Sequence, residues 1–410
     1  MRILLAAILL TVIVSATAGD ADPVIERVMN ATEAETATLA ELDDAELVDA
    51  VSTWESEQQA QSETLAAIGQ AVAEAQSRYF ADFVRQASTS SELEHRVAAA
   101  VLLSLPGLGV IGEPGIDAQT LLADTLAGAA LRPDLLAILH HTCGLWLWHI
   151  EPRPGQSAVS YPAGCADADL AARLTALEPS NARHWMRRAN EAHRYGDHED
   201  ARAMLIASGR ASTWRTPARS LARILDNALR RWPPPEELGE LLALQEESWA
   251  TVNDPPSHTS MADPSTQNLR DGDVLRATLV WNAAMLVADG YSPVSTLCRE
   301  ALPAGDTALA DACRRLARMM ADHADTVLDR VIGLSLLAEL APPAAAAAAA
   351  AEARLAEHRE STAAYSRDSL AYGRSEDASV DLETFIALGE VEMMQRAMAR
   401  LEARRASRPD

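Results

Sequence analysis

No stretch of this chain alternates apolar and polar residues with β-branched enrichment, whereas apolar residues recur at three- and four-residue steps almost throughout. A period of 3.6 cannot sit in a sheet, whose faces repeat every two residues, so the pattern predicts an all-α fold. Leu39, Leu42, Leu47, Val51 and Trp54 set it within a helical stretch from Ala31 to Arg85. Ser91 followed by Glu94 reads as a capping box opening the next helix. Glycine and proline then cut the pattern into helices expected at Ala118 to Gly128, Pro133 to Trp148, Thr216 to Arg231 and Pro235 to Trp249. Further helices are expected at Val274 to Asp289, Val294 to Leu302, Thr307 to Asp322, Ala324 to Leu340 and Asp381 to Arg404. Ala344 to Ala351, behind Pro342 and Pro343, adds the strongest helix former after a helix-starting proline pair. The chain is 48% hydrophobic but only 4% aromatic, so its helices must approach one another through alanine and leucine.

The first eighteen residues read as an export signal. Arg2 supplies a positive start, Ile3 to Val14 is apolar apart from Thr11, and Ala16-Thr17-Ala18 offers a small-x-small cleavage site. The run falls short of the roughly 20 apolar residues of a membrane span, so no span is expected after cleavage. A periplasmic or secreted location makes the four cysteines interpretable, since an oxidising compartment favours pairing. Three connectivities are open, and proximity favours Cys143 with Cys165 and Cys298 with Cys313. The second pair flanks Pro303-Ala304-Gly305-Asp306, a cluster that would turn one helix back on the next.

Pro179 to Ser208 reads as two short helices joined at Gly196-Asp197, with Ala189 and Ala201 where they touch and Trp185 and Leu205 filling the gap. With Ala182 as the first position of a 34-residue unit, the segment resembles a tetratricopeptide repeat, Arg188 and Ala192 standing in place of the usual leucine and aromatic. The resemblance implies a stack of helical hairpins, an α-α superhelix or solenoid whose remaining repeats are degenerate. It also implies a ligand-presenting concave face on the first helices, at Arg183, Met186, Asn190 and His193, whose donors suit a peptide backbone or terminal carboxylate. It implies no chemistry.

The polar, proline-rich stretch 251–273 is the expected boundary between a helical array over 19–250 and another over 274–410. The net charge of −24 argues against nucleic acid and anionic membranes as partners. Every one of the 35 basic residues is arginine, which excludes mechanisms that need a lysine. Arg215, Arg219 and Arg223 form a four-residue row, either a positive stripe for a carboxylate-bearing partner or a solvated face making ion pairs. The nucleophile elbow, phosphate loop and zinc-helix motifs are missing. Glu55 before Ser56 stands without the partners that would specify a catalytic carboxylate. His140, His141, Cys143 and His149, like His193, Asp197, His198, Glu199 and Asp200, fall short of a metal site, because neighbouring histidines diverge on a helix and Asp197 is wanted as an N-cap. No metal and no cofactor are therefore expected. The function expected is binding of an unidentified protein or peptide in the cell envelope. The alternatives are an enzyme whose site assembles from distant helices and a structural envelope protein.

Overall fold

The computed structural model describes residues 44–104, 117–150, 165, 169–253, 271–285, 291–340, 346–372 and 375–407. Within them lie sixteen helices, α1 (Asp44–Ser88), α2 (Leu93–Ser104), α3 (Ala118–Gly128), α4 (Pro133–Ile150), α5 (Leu170–Leu177), α6 (Ala182–Arg194), α7 (His198–Ser208) and α8 (Ala218–Arg231) in the first half. They continue as α9 (Glu236–Asn253), α10 (Gly272–Met285), α11 (Ser292–Ala301), α12 (Thr307–His323), α13 (Val327–Leu340), α14 (Ala346–Tyr372), α15 (Ser375–Leu388) and α16 (Glu390–Ala406). The described residues contain no strand, only an isolated bridge between Asn181 and Thr213, so the all-α class holds. Residues 1–43, which include the expected export signal, lie outside the described residues.

The helices start where short polar side chains catch free backbone N–H groups. Asp169, Asn181, Asp197 and Asp306 each cap a helix in this way. At α2 the serine used is Ser90, whose Oγ accepts the Glu92 N–H at 3.2 Å, while Glu94 pairs instead with Arg132 at 3.1 Å. Two differences from the expected helices have local causes. The segment Leu170–Leu177 is a helix of its own, and the C-terminal helix is two, because Gly389 takes φ +96° and ends α15 one residue before α16 begins.

Two hydrophobic cores result. One gathers α1 to α5, α8, α9, α10, α15 and α16 around Phe83, Leu122, Ile138, Ile224 and Phe385. The other gathers α6, α7, α11, α12 and α13 around Met186, Leu205, Trp214, Leu316 and Leu336. Each draws on residues from both sides of 251–273, so the two arrays expected on either side of that stretch do not have separate interiors. Thr251 to Asn253 belong to α9 and Gly272 and Asp273 to α10, and 254–270 lie outside the described residues.

Disulfides tie Cys143 to Cys165 and Cys298 to Cys313, with Cα separations of 5.6 and 5.7 Å. The second closes the α11–α12 turn, in which Gly305 takes φ +70°. None of the described helices is long and apolar enough to cross a membrane.

Close approach through small residues is most pronounced where α12 crosses its neighbours. A Cβ on Gly333 of α13 would lie 2.5 Å from the Ala321 nitrogen and 2.8 Å from the Ala317 oxygen. One on Gly209, at the end of α7, would lie 2.5 Å from the Ala312 oxygen. Backbone atoms cannot yield as a side-chain tip can, so Gly333→Ala should destabilise by roughly 1–3 kcal/mol. Gly144→Ala, in α4 with nothing within 4 Å of the added carbon, should instead gain roughly 0.5–1 kcal/mol from helix propensity. Urea unfolding of the two variants beside the parent chain measures both signs.

Candidate functional site

The α6–α7 pair is closed at both ends. Gly196 takes φ +79° in its turn, and Asp197 accepts the Asp200 N–H at 3.0 Å. At the other end the Ser208 hydroxyl donates to the Ala182 carbonyl at 2.9 Å. Ala182, Ala189, Ala201 and Leu205 are fully buried. Trp185 lies half-buried, its indole N–H donating to the Pro179 carbonyl at 2.8 Å, with the Arg188 guanidinium 6.0 Å from its ring. The loop after α7 returns to the start of α6. Ser180 accepts from the Ser212 and Thr213 N–H groups, and the Asn181 side chain both donates to the Arg215 carbonyl, at 3.3 Å, and accepts its N–H, at 3.2 Å.

Arg183 and Met186, expected on an outward concave face, point inward: Arg183 is 1% exposed and Met186 fully buried in the second core. The physical reason is that α11 packs on α6 and the second core closes over that side. Asn190 and His193 are half-buried, and the His193 ring stands 5.2 Å from that of His198. Neighbouring polar residues make two histidine–carboxylate pairs, His140 to Glu191 at 2.8 Å and His184 to Glu178 at 2.9 Å. Burial pushes Glu191 up, but the hydrogen bond and charge of His140 hold it below the usual carboxylate range. His184 is pushed down by burial, its bond to Glu178 opposing.

The arginine row is no free stripe. Arg215 precedes α8 rather than lying on it. Arg219 donates to the carbonyls of Ile386 and Ala387 at the end of α15, and Arg223 lies 3.7 Å from Asp134. Further along, Arg230 pairs with Asp226 at 3.0 Å.

Single-sequence reading missed a buried acidic junction where the second core meets the start of α16. Asp329, 3% exposed, accepts the Trp214 indole N–H at 2.8 Å and the Tyr291 hydroxyl. Asp325 accepts the Thr216 hydroxyl at 3.0 Å, and its carbonyl takes the Glu390 N–H at 2.7 Å. Glu390 returns its carboxylate to the Val327 N–H at 2.8 Å. Burial, with Asp329 and Asp325 adding negative charge, pushes Glu390 up to about 7. Asp325 is also raised by burial, against the opposing Thr216 bond and the charges of Arg219 and Arg183. Of these carboxylates Glu390 caps the start of α13, Asp329 receives the aromatic donors and Asp325 a hydroxyl. The spacing of Asp325, Asp329 and Glu390 carries no motif, so only the fold brings them together.

Among the described residues, no three His, Cys, Asp or Glu side chains gather as a metal site. His140 is held by Glu191 and Cys143 by its disulfide. The side chains of Glu55 and His149 lie outside the described residues. The surface does carry an open cleft of about 460 Å³ between α1 and the α8–α9 turn. Tyr79, Phe83 and Leu238, all buried, form its apolar floor beside the half-buried Trp232, and Arg78, Asp82, Arg231 and Glu237 its charged rim. Its lining is braced from below: the Tyr79 hydroxyl donates to the Trp232 carbonyl at 3.0 Å, and the Phe83 and Trp232 rings meet edge to face at 5.7 Å. No protein-family model matches the chain, and neither a curated protein nor a solved structure matches it.

Two expectations follow. Arg183→Ala and Ala201→Leu should both destabilise, by roughly 1–3 kcal/mol, one by stripping a buried cation's contacts and the other by overpacking, whereas exposed Arg210→Ala should stay within about 0.5 kcal/mol. The second concerns pH. With its pKa raised, folded Glu390 keeps a proton between 4.5 and about 7 that the unfolded chain has released. Its contribution is therefore greatest at low pH and is lost as pH rises through that window. Glu390→Gln retains an acceptor for Val327 without the charge, and thermal melts at pH 5 and pH 8 should show a smaller loss of stability across the window than in the parent chain.

Proposed function

We propose that the chain is an exported helical scaffold, similar to a tetratricopeptide array around Pro179 to Ser208, that binds an extended segment of another protein in the cleft between α1 and the α8–α9 turn. The observation that carries the reading is that cleft's construction. An aromatic lining with mixed charges on its rim suits a peptide, which offers apolar side chains and a polar backbone together. The Tyr79 hydroxyl is held on the Trp232 carbonyl and the Trp232 ring packs edge to face on Phe83, so little ordering is left for the moment of binding.

Two further features support the architecture. The start of α6 is tied to Arg215 at a separation of 34 residues, the length of the repeat the segment resembles. The α12–α13 pair, like α6–α7, packs as a hairpin, with Ala317 and Ala321 against Gly333. Export is supported by the two local disulfides, since such bonds persist in oxidising compartments. The arginine row at Arg215, Arg219 and Arg223 is no longer the favoured surface, because two of its members are engaged by α15 and α4.

The test reverses rim charges that leave the interior alone. Arg78 and Glu237 face each other at 3.7 Å with side chains 62% and 69% exposed. Affinity capture from the periplasmic or secreted fraction, quantified by mass spectrometry, should recover a partner with the parent chain and lose it with Arg78→Glu or Glu237→Arg at unchanged melting temperature. Equal recovery by all three would remove the cleft as the binding surface.

A further inference from the structure

A second, smaller cavity of about 160 Å³ opens between α12, α13, α14 and α16, and it shares no lining residue with the cleft. Its walls include Arg330 from α13, Arg354, His358 and Ser361 from α14, and Gln395 from α16. In a chain of net charge −24, two guanidinium groups and an imidazole converging on one cavity is an unusual juxtaposition.

The arginines are held in place from behind. Arg330 donates its Nε–H to the Ala324 carbonyl at 2.8 Å, and Arg354 donates to the Ala321 carbonyl at 3.2 Å. Both carbonyls belong to the end of α12, so each guanidinium is fixed by a helix terminus that favours positive charge. Asp322 takes a second N–H of Arg354 at 3.0 Å. Arg330 makes no ion pair among the described residues, and its Nη groups remain as donors. Burial lowers its affinity for its proton and the charge of Arg354 adds to that, while Asp322, Asp325 and Glu392 oppose. His358 faces the same two arginines, with Glu357 as the nearby opposing charge, and its Nε2 is buried without a hydrogen-bond partner. A buried ring nitrogen with no partner and a half-buried guanidinium with no carboxylate are two separate deficits, and a single acceptor-rich guest would satisfy both.

We propose that this cavity binds a small oxyanion, a carboxylate or a phosphate, between Arg330, Arg354 and His358, with the Ser361 hydroxyl and Gln395 amide as further donors. The planar fork of arginine matches the paired oxygens of either group. Glu357 on the wall sets a limit on total negative charge and favours a small guest over a polyanion. The site is independent of the peptide cleft, so neither proposal stands or falls with the other.

Isothermal titration of the full mature protein with inorganic phosphate and, separately, with succinate tests it, ionic strength being held constant with sodium chloride. The parent chain should bind at least one of the two with one-to-one stoichiometry and a shift of the His358 ring resonances. Phosphate alone, succinate alone or both would identify the guest as phosphate, carboxylate or general oxyanion. Gln395→Glu adds a negative charge at an exposed position on the rim and should weaken binding at least about tenfold with an unchanged melting temperature. His358→Phe, which removes the imidazole while keeping a ring, should weaken it as well. Binding of neither probe by the parent chain, or equal affinity in the parent and Gln395→Glu proteins, overturns the proposal.

Discussion

Two bonds between Glu390 and the Asp325–Val327 segment join the two cores where their helices start. The Glu390 N–H reaches back to the Asp325 carbonyl, and the Glu390 carboxylate reaches forward to the Val327 N–H, so the starts of α13 and α16 cap each other. α13 belongs to the second core, while Met393 and Met394 of α16 lie in the first. The approach is possible because residue 389 is glycine. A side chain there would place its Cβ 2.7 Å from the Asp325 Cβ, and the backbone is already in the left-handed region. The cost is a carboxylate buried close to two others, which is why Glu390 holds its proton toward neutrality. Stability and charge are thus coupled at the seam between the cores.

The small-residue composition has its structural meaning at α12. Ala312 admits Gly209 on one side, and Ala317 and Ala321 admit Gly333 on another. Helices this close gain dispersion contacts along their backbones, which offsets the scarcity of aromatic rings. The few aromatics are accordingly concentrated. Tyr79, Phe80, Phe83 and Trp232 cluster at the cleft between α1 and the α8–α9 turn, and Trp281 meets Phe385 at a tilt, 4.8 Å between ring centroids, in the same core.

Much of the fold is legible in the sequence where the signal is local. Gly196-Asp197 and Gly305-Asp306 each supply a left-handed glycine and an N-cap, and both turns form where those pairs stand. The cysteines pair with their nearest neighbours because each bridge staples adjacent segments. What is illegible depends on the covering elements. Arg183 has the charge of a surface residue and occupies a position that an isolated hairpin would expose, yet helices that follow it by more than a hundred residues bury it. The arginine row fails for the same reason, since only the fold shows that the ends of α15 and α4 lie within reach. The cleft and the oxyanion cavity are assembled from segments far apart in sequence and have no motif to betray them.

The lack of lysine, unremarkable as composition, has a consequence for how the helices end. Arginine donates to the free carbonyls of four helix termini or the residues that follow them: Arg219 to α15, Arg314 to Leu340 of α13, Arg315 to Gly209 beyond α7, and Arg330 and Arg354 to the end of α12. A guanidinium can hold a carbonyl with one N–H and still present others in the same plane, which an ammonium on a flexible stem does less well. Each such contact neutralises the negative end of a helix and fixes the partner helix against it. At the end of α12 two arginines do this side by side, and both line the same cavity. The oxyanion cavity is in this sense a by-product of capping: the arginines that close α12 are held there whether or not a guest is present, and His358 sits where an acceptor would complete them.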